Sequence, residues 1–233
     1  MNPILAEILQ TRDKLARESG ILPEEGEFLQ DIIMKIKPKM TLEIGFAYGI
    51  SALFICEALL KVKGEKHLVV DPNPYSSYNG IGIKNIRKAR YDALIEFIEA
   101  PSEMGLPDLL KKGTRIDFAF VDGWHSFDHA LVDFFYINLM LNVEGVIAFD
   151  DADWPSINKL CHYVSRYPCY KTYASWPARR NFGALTIASK TLEHVATRQM
   201  KFWRDDLSIS YRRCVAFRKV KEDDRSAGWY AEF

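Results

Sequence analysis

The stretch of residues 116–151 constrains the fold more than any other part of the sequence. Two short apolar runs, residues 116–121 and 143–149, flank residues 127–140, a segment long enough for a connecting helix. Apolar runs without strict alternation are typical of strands that are buried on both faces of a parallel sheet. The stretch therefore predicts a strand–helix–strand unit of an α/β protein.

Acidic residues follow both of these strands. Asp122 comes directly after the first, and Asp150 and Asp151 come directly after the second. Ligands of open parallel sheets bind beyond the carboxyl ends of the strands, so we expect the three carboxylates to share one crevice. Neighbouring carboxylates raise one another's pKa unless a cation or a proton lies between them. Any one aspartate also suits a helix cap or a turn, but the set predicts a site for Mg²⁺ or a similar hard divalent ion.

Length and composition favour a single domain with a small-molecule partner. A chain of 233 residues that is 48% hydrophobic can bury an ordinary core, so we expect one domain over residues 1–233. Lysine plus arginine equals aspartate plus glutamate, at 31 each, and this balance gives no field that would recruit nucleic acid or a membrane. No apolar run approaches the roughly 20 residues that cross a bilayer, and the N-terminus resembles an amphipathic helix instead of a signal peptide. We therefore expect a cytoplasmic protein.

A glycine turn between a predicted strand and an apolar helix indicates a nucleotide-type cofactor. Gly45 and Gly49 allow positive φ angles and the close approach of a ligand. The N-terminus of the following helix, with Ser51 in its first turn, favours an anion. The next predicted strand ends on Asp71, about twenty residues after the turn, where a nucleotide-binding unit carries its ribose-binding acid.

Periodicity predicts the other elements. Helices are expected at residues 4–14, 24–36, 50–60, 107–112, 154–163 and 192–203, and strands at residues 41–44, 67–70, 93–98, 170–174, 184–188 and 214–220. The predicted domain comprises N-terminal helices over the crevice (1–38), a cofactor and metal core (39–163), and C-terminal strands with an acceptor-side insertion (164–233). The four cysteines lack the paired spacing of a zinc site and are expected to be reduced thiols.

Three sequence segments together carry a family resemblance. The segments LEIGFAYGISAL, VVDPNP and FAFVDGWHSFDHALVDFFYINLMLNVEGVIAFDD resemble the class I S-adenosylmethionine-dependent methyltransferases, in the O-methyltransferase branch that includes catechol-type and macrolide-sugar enzymes. The resemblance covers about residues 22–163. It implies a Rossmann-like, doubly wound, mostly parallel seven-stranded sheet with helices on both faces. Glu144 departs from the pattern, because the family usually has two glycines before the fifth strand and this chain keeps only Gly145.

The resemblance also implies site residues and an activity. Its cofactor positions are Glu43, Gly45, Tyr48, Gly49, Ser51, Asp71, Ser102 and Asp122, and its metal ligands are Asp122, Asp150 and Asp151. His125 falls where related enzymes carry a lysine or histidine base. The implied reaction is O-methylation of a small hydroxylated acceptor, with S-adenosylmethionine and Mg²⁺ or another divalent cation. A homodimer is compatible with this assignment.

Several interpretations stay open from sequence alone. Ser102 suits an adenine pocket or a helix cap, and His125 suits a general base or a hydrogen-bonded turn residue. Arg179 and Arg180 suit an anionic substrate group or solvent. Two other functions compete with methyl transfer: a nucleotide-dependent oxidoreductase, and a cofactor-binding relative with a hydroxylase-like activity. The oxidoreductase fits less well, because the turn lacks the third glycine of the dinucleotide fingerprint.

Overall fold

A mostly parallel sheet of seven strands forms the centre of the protein. The computed structural model describes residues 2–11, 20–177 and 212–230. The strands are β1 (Met40–Ile44), β2 (Lys66–Asp71), β3 (Ile95–Glu99), β4 (Ile116–Val121), β5 (Leu141–Phe149), β6 (Tyr170–Pro177) and β7 (Arg212–Lys219). Their spatial order is β3-β2-β1-β4-β5-β7-β6. Strands β1 to β5 pair in parallel, and β7 is antiparallel to both β5 and β6.

Helices cover both faces of the sheet. They are α1 (Pro3–Thr11), α2 (Pro23–Ile36), α3 (Ile50–Lys61), α4 (Ile81–Lys88), α5 (Ser102–Lys111), α6 (Phe127–Met140) and α7 (Pro155–Ser165), with a 3-10 turn at Ser77–Gly80. One buried cluster joins α1 to α4 to the sheet, and a second joins α5 to α7 to the opposite face. Alternate residues of β4 enter the two clusters: Phe118 and Phe120 enter the first, and Ile116, Ala119 and Val121 enter the second. The predicted doubly wound architecture is confirmed.

The central strand–helix–strand unit follows the prediction closely. The strand at residues 116–121 and the helix at residues 127–140 have the predicted bounds, and β5 begins at Leu141, two residues early. A register shift between β4 and β5 accompanies this extension.

Other predicted bounds need correction. The helix expected to begin at Pro107 begins at Ser102, so Pro107 lies inside α5 instead of at its first position, where proline is common. The strand expected from residue 93 begins at Ile95. The strand at 184–188, the helix at 192–203, Arg179 and Arg180 lie outside the described residues. The three-part division of the domain stays a prediction.

The structure also shows the state of the cysteines and the length of the apolar helices. All four cysteines are buried and free, as expected for reduced thiols. Within residues 2–11, 20–177 and 212–230, no helix has the length and apolarity needed to cross a membrane.

Candidate active site

A pocket opens at the carboxyl ends of β1, β2, β4 and β5. The residues proposed from sequence that line it are Gly45, Asp71, Ser102, Asp122, His125, Asp150 and Asp151. The same pocket therefore receives the glycine turn, the acid after β2 and the acids after β4 and β5. This is the arrangement expected for a ligand site at the end of an open parallel sheet.

The glycine turn lies directly against the end of β4. Gly45 has a φ of +88°, and a Cβ atom there would meet the carbonyl oxygen of Asp122 at 2.1 Å. Only glycine suits both the angle and the contact. Asp71 fixes the turn, because its Oδ2 accepts a hydrogen bond from the Phe46 N–H at 3.0 Å and its Oδ1 accepts one from the Asn73 N–H at 2.7 Å.

Four residues proposed for cofactor binding do not line the pocket. Glu43 is fully buried, and its Oε2 lies 3.1 Å from Nε2 of His67 on β2. Tyr48 packs on Tyr78, with ring centroids 4.7 Å apart. Gly49 is the N-cap of α3 with a φ of 71°, and Ser51 is buried in the first turn of that helix. The glycine turn reaches the pocket through residues 45–47 instead.

Ser102 lines the pocket from the first turn of α5. It follows the N-cap residue, Pro101, so it is not the cap itself. Its hydroxyl interacts with Asp133 on α6 and opposes the rise that burial causes in the pKa of that carboxyl, which reaches about 6.

Asp122, His125 and Asp151 form a compact cluster. Ligand atoms of the three side chains all lie within 4.8 Å of one another. His125 Nε2 is 3.0 Å from Asp151 Oδ2 and 3.5 Å from Asp122 Oδ1. Asp151 has a φ of +47°, a left-handed conformation that is uncommon outside glycine, although aspartate adopts it more readily than most residues, and such conformations cluster at functional sites. We call these three residues the Asp–His–Asp cluster.

The Asp150 side chain contacts residues outside the Asp–His–Asp cluster. It is almost fully buried, and its Oδ1 accepts a hydrogen bond from the N–H of Asp151 at 2.6 Å. Arg213 Nε, on β7, lies 3.5 Å from the same Oδ1 and donates a hydrogen bond to Glu25 Oε2 at 3.0 Å. Arg213 also lies 3.6 Å from Asp151. Asp150 thus belongs to a buried charge network with Glu25 and Arg213, next to the Asp–His–Asp cluster.

The crowding of acids shifts several pKa values upward. Burial, followed by Asp150, raises the pKa of Asp122 to about 7. Burial, with Asp150 again the second cause, raises the pKa of Glu25 to about 10, although Arg213 opposes the shift. Asp122 and Asp151 raise the pKa of His125 to about 10. The site therefore favours protons on Glu25, on Asp122 and on the His125 imidazole.

The sequence prediction missed four residues of this region. Trp124 and Trp154 line the pocket with 72% and 51% of their surface exposed. Glu25 is 0% exposed and precedes Leu29 and Ile32 at helical spacing, so its place on the apolar face of α2 was a usable signal. Arg213 offered no such signal.

Comparisons with known proteins agree with this geometry. Residues 42–152 match the family described as a methyltransferase domain. The chain is 31% identical over 140 residues to tapetum-specific methyltransferase 1 of Arabidopsis thaliana, a match covering 59% of this chain and 57% of that protein. It is 29% identical over 142 residues to caffeoyl-CoA O-methyltransferase of Stellaria longipes, covering 58% and 55%. The chain thus spans little more than half the length of these curated relatives.

Solved methyltransferase structures share the fold. The O-methyltransferase from Bacillus cereus in complex with SAH has a TM-score of 0.68 at 16% identity, covering 94% of this chain and 91% of that chain. The O-methyltransferase TomG from Streptomyces achromogenes, in complex with SAM, has a TM-score of 0.67 at 14% identity, covering 95% and 91%. Together with the family match and the strand order, these likenesses identify the architecture. The chain therefore has the class I methyltransferase fold, and its residues 42–152 match a methyltransferase domain.

Proposed function

We propose that the protein is an S-adenosylmethionine-dependent O-methyltransferase that acts on a small hydroxylated acceptor with the help of a divalent cation. One observation carries the proposal: a single pocket of the described residues is lined both by the glycine turn with Asp71 and by the Asp–His–Asp cluster. A methyl donor and an acceptor held at these two places would lie side by side. Much of the barrier to methyl transfer can be removed by such positioning.

The glycine turn and Asp71 would hold the cofactor. The glycine turn, which packs against the end of β4 at Gly45 and lines the pocket there, would hold the methionine moiety. Asp71 uses one lone pair on each oxygen for the Phe46 and Asn73 amides. A carboxylate has about four acceptor sites, so the remaining lone pairs are available to the ribose hydroxyls. Ser102, also in the pocket lining, would stand at the adenine edge.

The donor set fits a divalent cation. His125 Nε2 is buried between two carboxylates, and no well-aligned hydrogen bond joins it to any of the described residues. The carboxylates of Glu25, Asp150 and Asp151 lie within 3.6 Å of the Arg213 guanidinium, and Asp122 lies 3.5 Å from His125, so acidic groups outnumber basic ones among these residues. Asp122 and Asp151 would hold the ion. A cation bound there would orient the acceptor hydroxyl and make its proton easier to lose.

The acceptor would be a hydroxylated aromatic compound. Trp124 and Trp154 present exposed rings to the pocket, and the Trp154 ring lies 5.0 Å from that of His125. Flat aromatic walls suit a flat aromatic ligand. Similar proteins are named for caffeoyl-CoA and for a flavonoid, which are compounds of this kind.

The competing functions lack a comparable observation. A nicotinamide-dependent oxidoreductase has no need for acids at the ends of both β4 and β5. A hydroxylase-like relative would bind the cofactor without transferring its methyl group. The named relatives are methyltransferases, which favours methyl transfer.

The test combines binding and turnover. Calorimetry should detect binding of S-adenosylhomocysteine to the purified full chain. Radiolabelled S-adenosylmethionine should then methylate caffeoyl-CoA or a vicinally hydroxylated flavonoid. Asp122→Asn should abolish turnover, whereas Asp108→Asn, on the exposed face of α5, should not. Failure to bind S-adenosylhomocysteine would overturn the assignment, and binding without transfer to any hydroxylated acceptor would favour the hydroxylase-like alternative.

A further inference from the structure

We propose that His125, and not Asp150, completes the metal-binding set with Asp122 and Asp151, so that the site has a nitrogen donor and takes an ion such as Mn²⁺ in preference to Mg²⁺. This inference rests on the proposed function, because it concerns the ion expected at the same pocket. It changes the roles of two residues: His125 becomes a ligand, and Asp150 becomes a positioning residue.

The spacing of the three side chains fits ligands of one ion. Two atoms that each lie about 2.1 Å from an ion and subtend a right angle are about 3.0 Å apart, and at a tetrahedral angle they are about 3.4 Å apart. His125 Nε2 is 3.0 Å from Asp151 Oδ2 and 3.5 Å from Asp122 Oδ1. The imidazole nitrogen therefore has ligand-like separations from both carboxylates.

The imidazole makes no well-aligned hydrogen bond with the two carboxylates beside it. An imidazolium held by a carboxylate directs its N–H along a hydrogen bond. His125 Nε2 is buried, yet no hydrogen bond of acceptable geometry joins it to Asp122, to Asp151 or to any other described residue. The nitrogen therefore lies between the two carboxylates without a well-aligned hydrogen bond to either, and an ion placed between the three side chains would meet all of them.

Contacts with other described residues keep the Asp150 carboxylate out of the Asp–His–Asp cluster. Its Oδ1 accepts the Asp151 amide at 2.6 Å and lies 3.5 Å from Arg213 Nε. Arg213 is held in turn by Glu25, which is fully buried on α2. Reorienting Asp150 toward the Asp–His–Asp cluster would leave a buried guanidinium and a buried amide without this acceptor, which is costly.

The backbone on both sides of the cluster keeps His125 in place. The Ser156 hydroxyl, in the first turn of α7, donates a hydrogen bond to the carbonyl oxygen of His125 at 2.5 Å. Asp151 leaves β5 with a φ of +47°, whereas Asp150 still pairs through its N–H with the Val121 carbonyl of β4. This break in the strand lets neighbouring aspartates serve different partners.

The donor set then determines which ions are preferred. Mg²⁺ strongly favours oxygen ligands, whereas Mn²⁺, Fe²⁺, Co²⁺ and Zn²⁺ accept imidazole together with carboxylates. One nitrogen and two carboxylates leave positions for water and for two acceptor oxygens. The site therefore differs in kind from the all-oxygen site expected from the three aspartates.

The experiment measures Mn²⁺ binding to the full chain without cofactor or acceptor. Pulsed electron paramagnetic resonance of the Mn²⁺-loaded protein should show coupling to a histidine ¹⁴N nucleus. His125→Gln should remove this coupling and weaken Mn²⁺ binding at least about tenfold, because losing a ligand should cost no less than losing an outer-shell partner. Asp150→Asn, which keeps an acceptor for the Asp151 amide, should retain the coupling. His129→Gln, which changes the other histidine of the pocket, is the matched control and should also retain it.

Three outcomes would overturn the inference: no Mn²⁺ binding by the wild type, bound Mn²⁺ without nitrogen coupling, or coupling that is lost in His129→Gln instead of His125→Gln. The first two need no variant, so a variant that fails to fold cannot obscure the result. Binding of S-adenosylhomocysteine, measured on the same preparation, tests the proposed function separately. Cofactor binding without nitrogen coupling would reject the ligand role and leave the methyltransferase proposal in place.

Discussion

Arg213 and Glu25 form a largely buried contact across 188 residues of sequence, in which Arg213 Nε donates a hydrogen bond to Glu25 Oε2 at 3.0 Å. The contact ties the N-terminal helix α2 to the antiparallel strand β7 beside the acids of the pocket. Removing the guanidinium leaves the nearby Asp150 and Asp151 carboxylates without their compensating charge. We predict that Arg213→Gln lowers the free energy of unfolding by about 3 to 5 kcal/mol, measured by urea titration.

An exposed arginine provides the control for this effect. Arg87 lies 3.8 Å from Asp92, and both side chains are exposed. Arg87→Gln should therefore change the free energy of unfolding by less than about 1 kcal/mol. Equal losses in the two variants would show that the buried network contributes no more than a surface pair.

The contact between Glu25 and Arg213 also shows what the sequence could not predict. The unit from β4 to β5 was predicted well, because apolar runs and helical spacing are local signals. The contact between Glu25 and Arg213 depends on the order of strands in the sheet. The different partners of Asp150 and Asp151 depend on a single backbone angle, the φ of +47° at Asp151. Neither can be read from residue types.

A second prediction concerns the cofactor and Asp71. The Asp71→Asn side chain retains one acceptor oxygen, so it cannot serve the Phe46 amide, the Asn73 amide and two ribose hydroxyls together. Calorimetry should show binding of S-adenosylhomocysteine weakened by about 1.5 to 3 kcal/mol, the range for a bond to a charged group. Unchanged affinity in a folded variant would mean that the ribose lies elsewhere. Asp92→Asn, at an exposed site, should bind normally.

A third prediction follows from Asp133, which is 1% exposed and whose Oδ1 has no hydrogen bond to any residue that the structure describes. Burial raises its pKa from 3.8 to about 6. The fold therefore favours the neutral acid, and stability that is present below pH 4 is lost as the pH rises through 6. Between pH 5 and 8 the free energy of unfolding of the wild type should fall by about 1.5 kcal/mol because of this group. The free energy of unfolding of Asp133→Asn, measured by chemical denaturation at pH 5 and at pH 8, should fall by about 1.5 kcal/mol less than that of the wild type.

The control for Asp133 lies on the same helix. Asp128 is exposed near the start of α6, and its hydrogen bond from Ser126 lowers its pKa. Asp128→Asn should leave the pH dependence between 5 and 8 as in the wild type, because this carboxyl stays ionised throughout. A parallel pH dependence in wild type and Asp133→Asn would argue against a neutral Asp133.

A fourth prediction concerns Glu144, at the position where the family usually has glycine. Its φ is +70°, in the left-handed region, and the contact of its exposed carboxylate with Arg218 is long, at 3.5 Å. A residue with a Cβ atom costs about 1 to 2 kcal/mol in the left-handed conformation. Glycine removes this cost, but its greater freedom in the unfolded chain offsets part of the gain. Glu144→Gly should raise the free energy of unfolding by about 1 kcal/mol in urea titration. Glu144→Ala, which keeps the Cβ, should give no such gain.

The last prediction separates the two roles of His125, a general base and a metal ligand. A lost base lowers the maximal rate by about 10²- to 10⁴-fold, and more ion cannot restore it. A lost ligand weakens ion binding, so the rate should recover toward the wild-type value as Mn²⁺ is raised to saturation. We expect recovery in His125→Gln, measured as initial rate against free Mn²⁺ at fixed cofactor and acceptor. A rate that stays depressed at saturating ion, together with an acid limb in the wild-type pH profile that the variant lacks, would assign His125 to proton transfer. Recovery with an acid limb shared by both proteins would exclude the imidazole from that step.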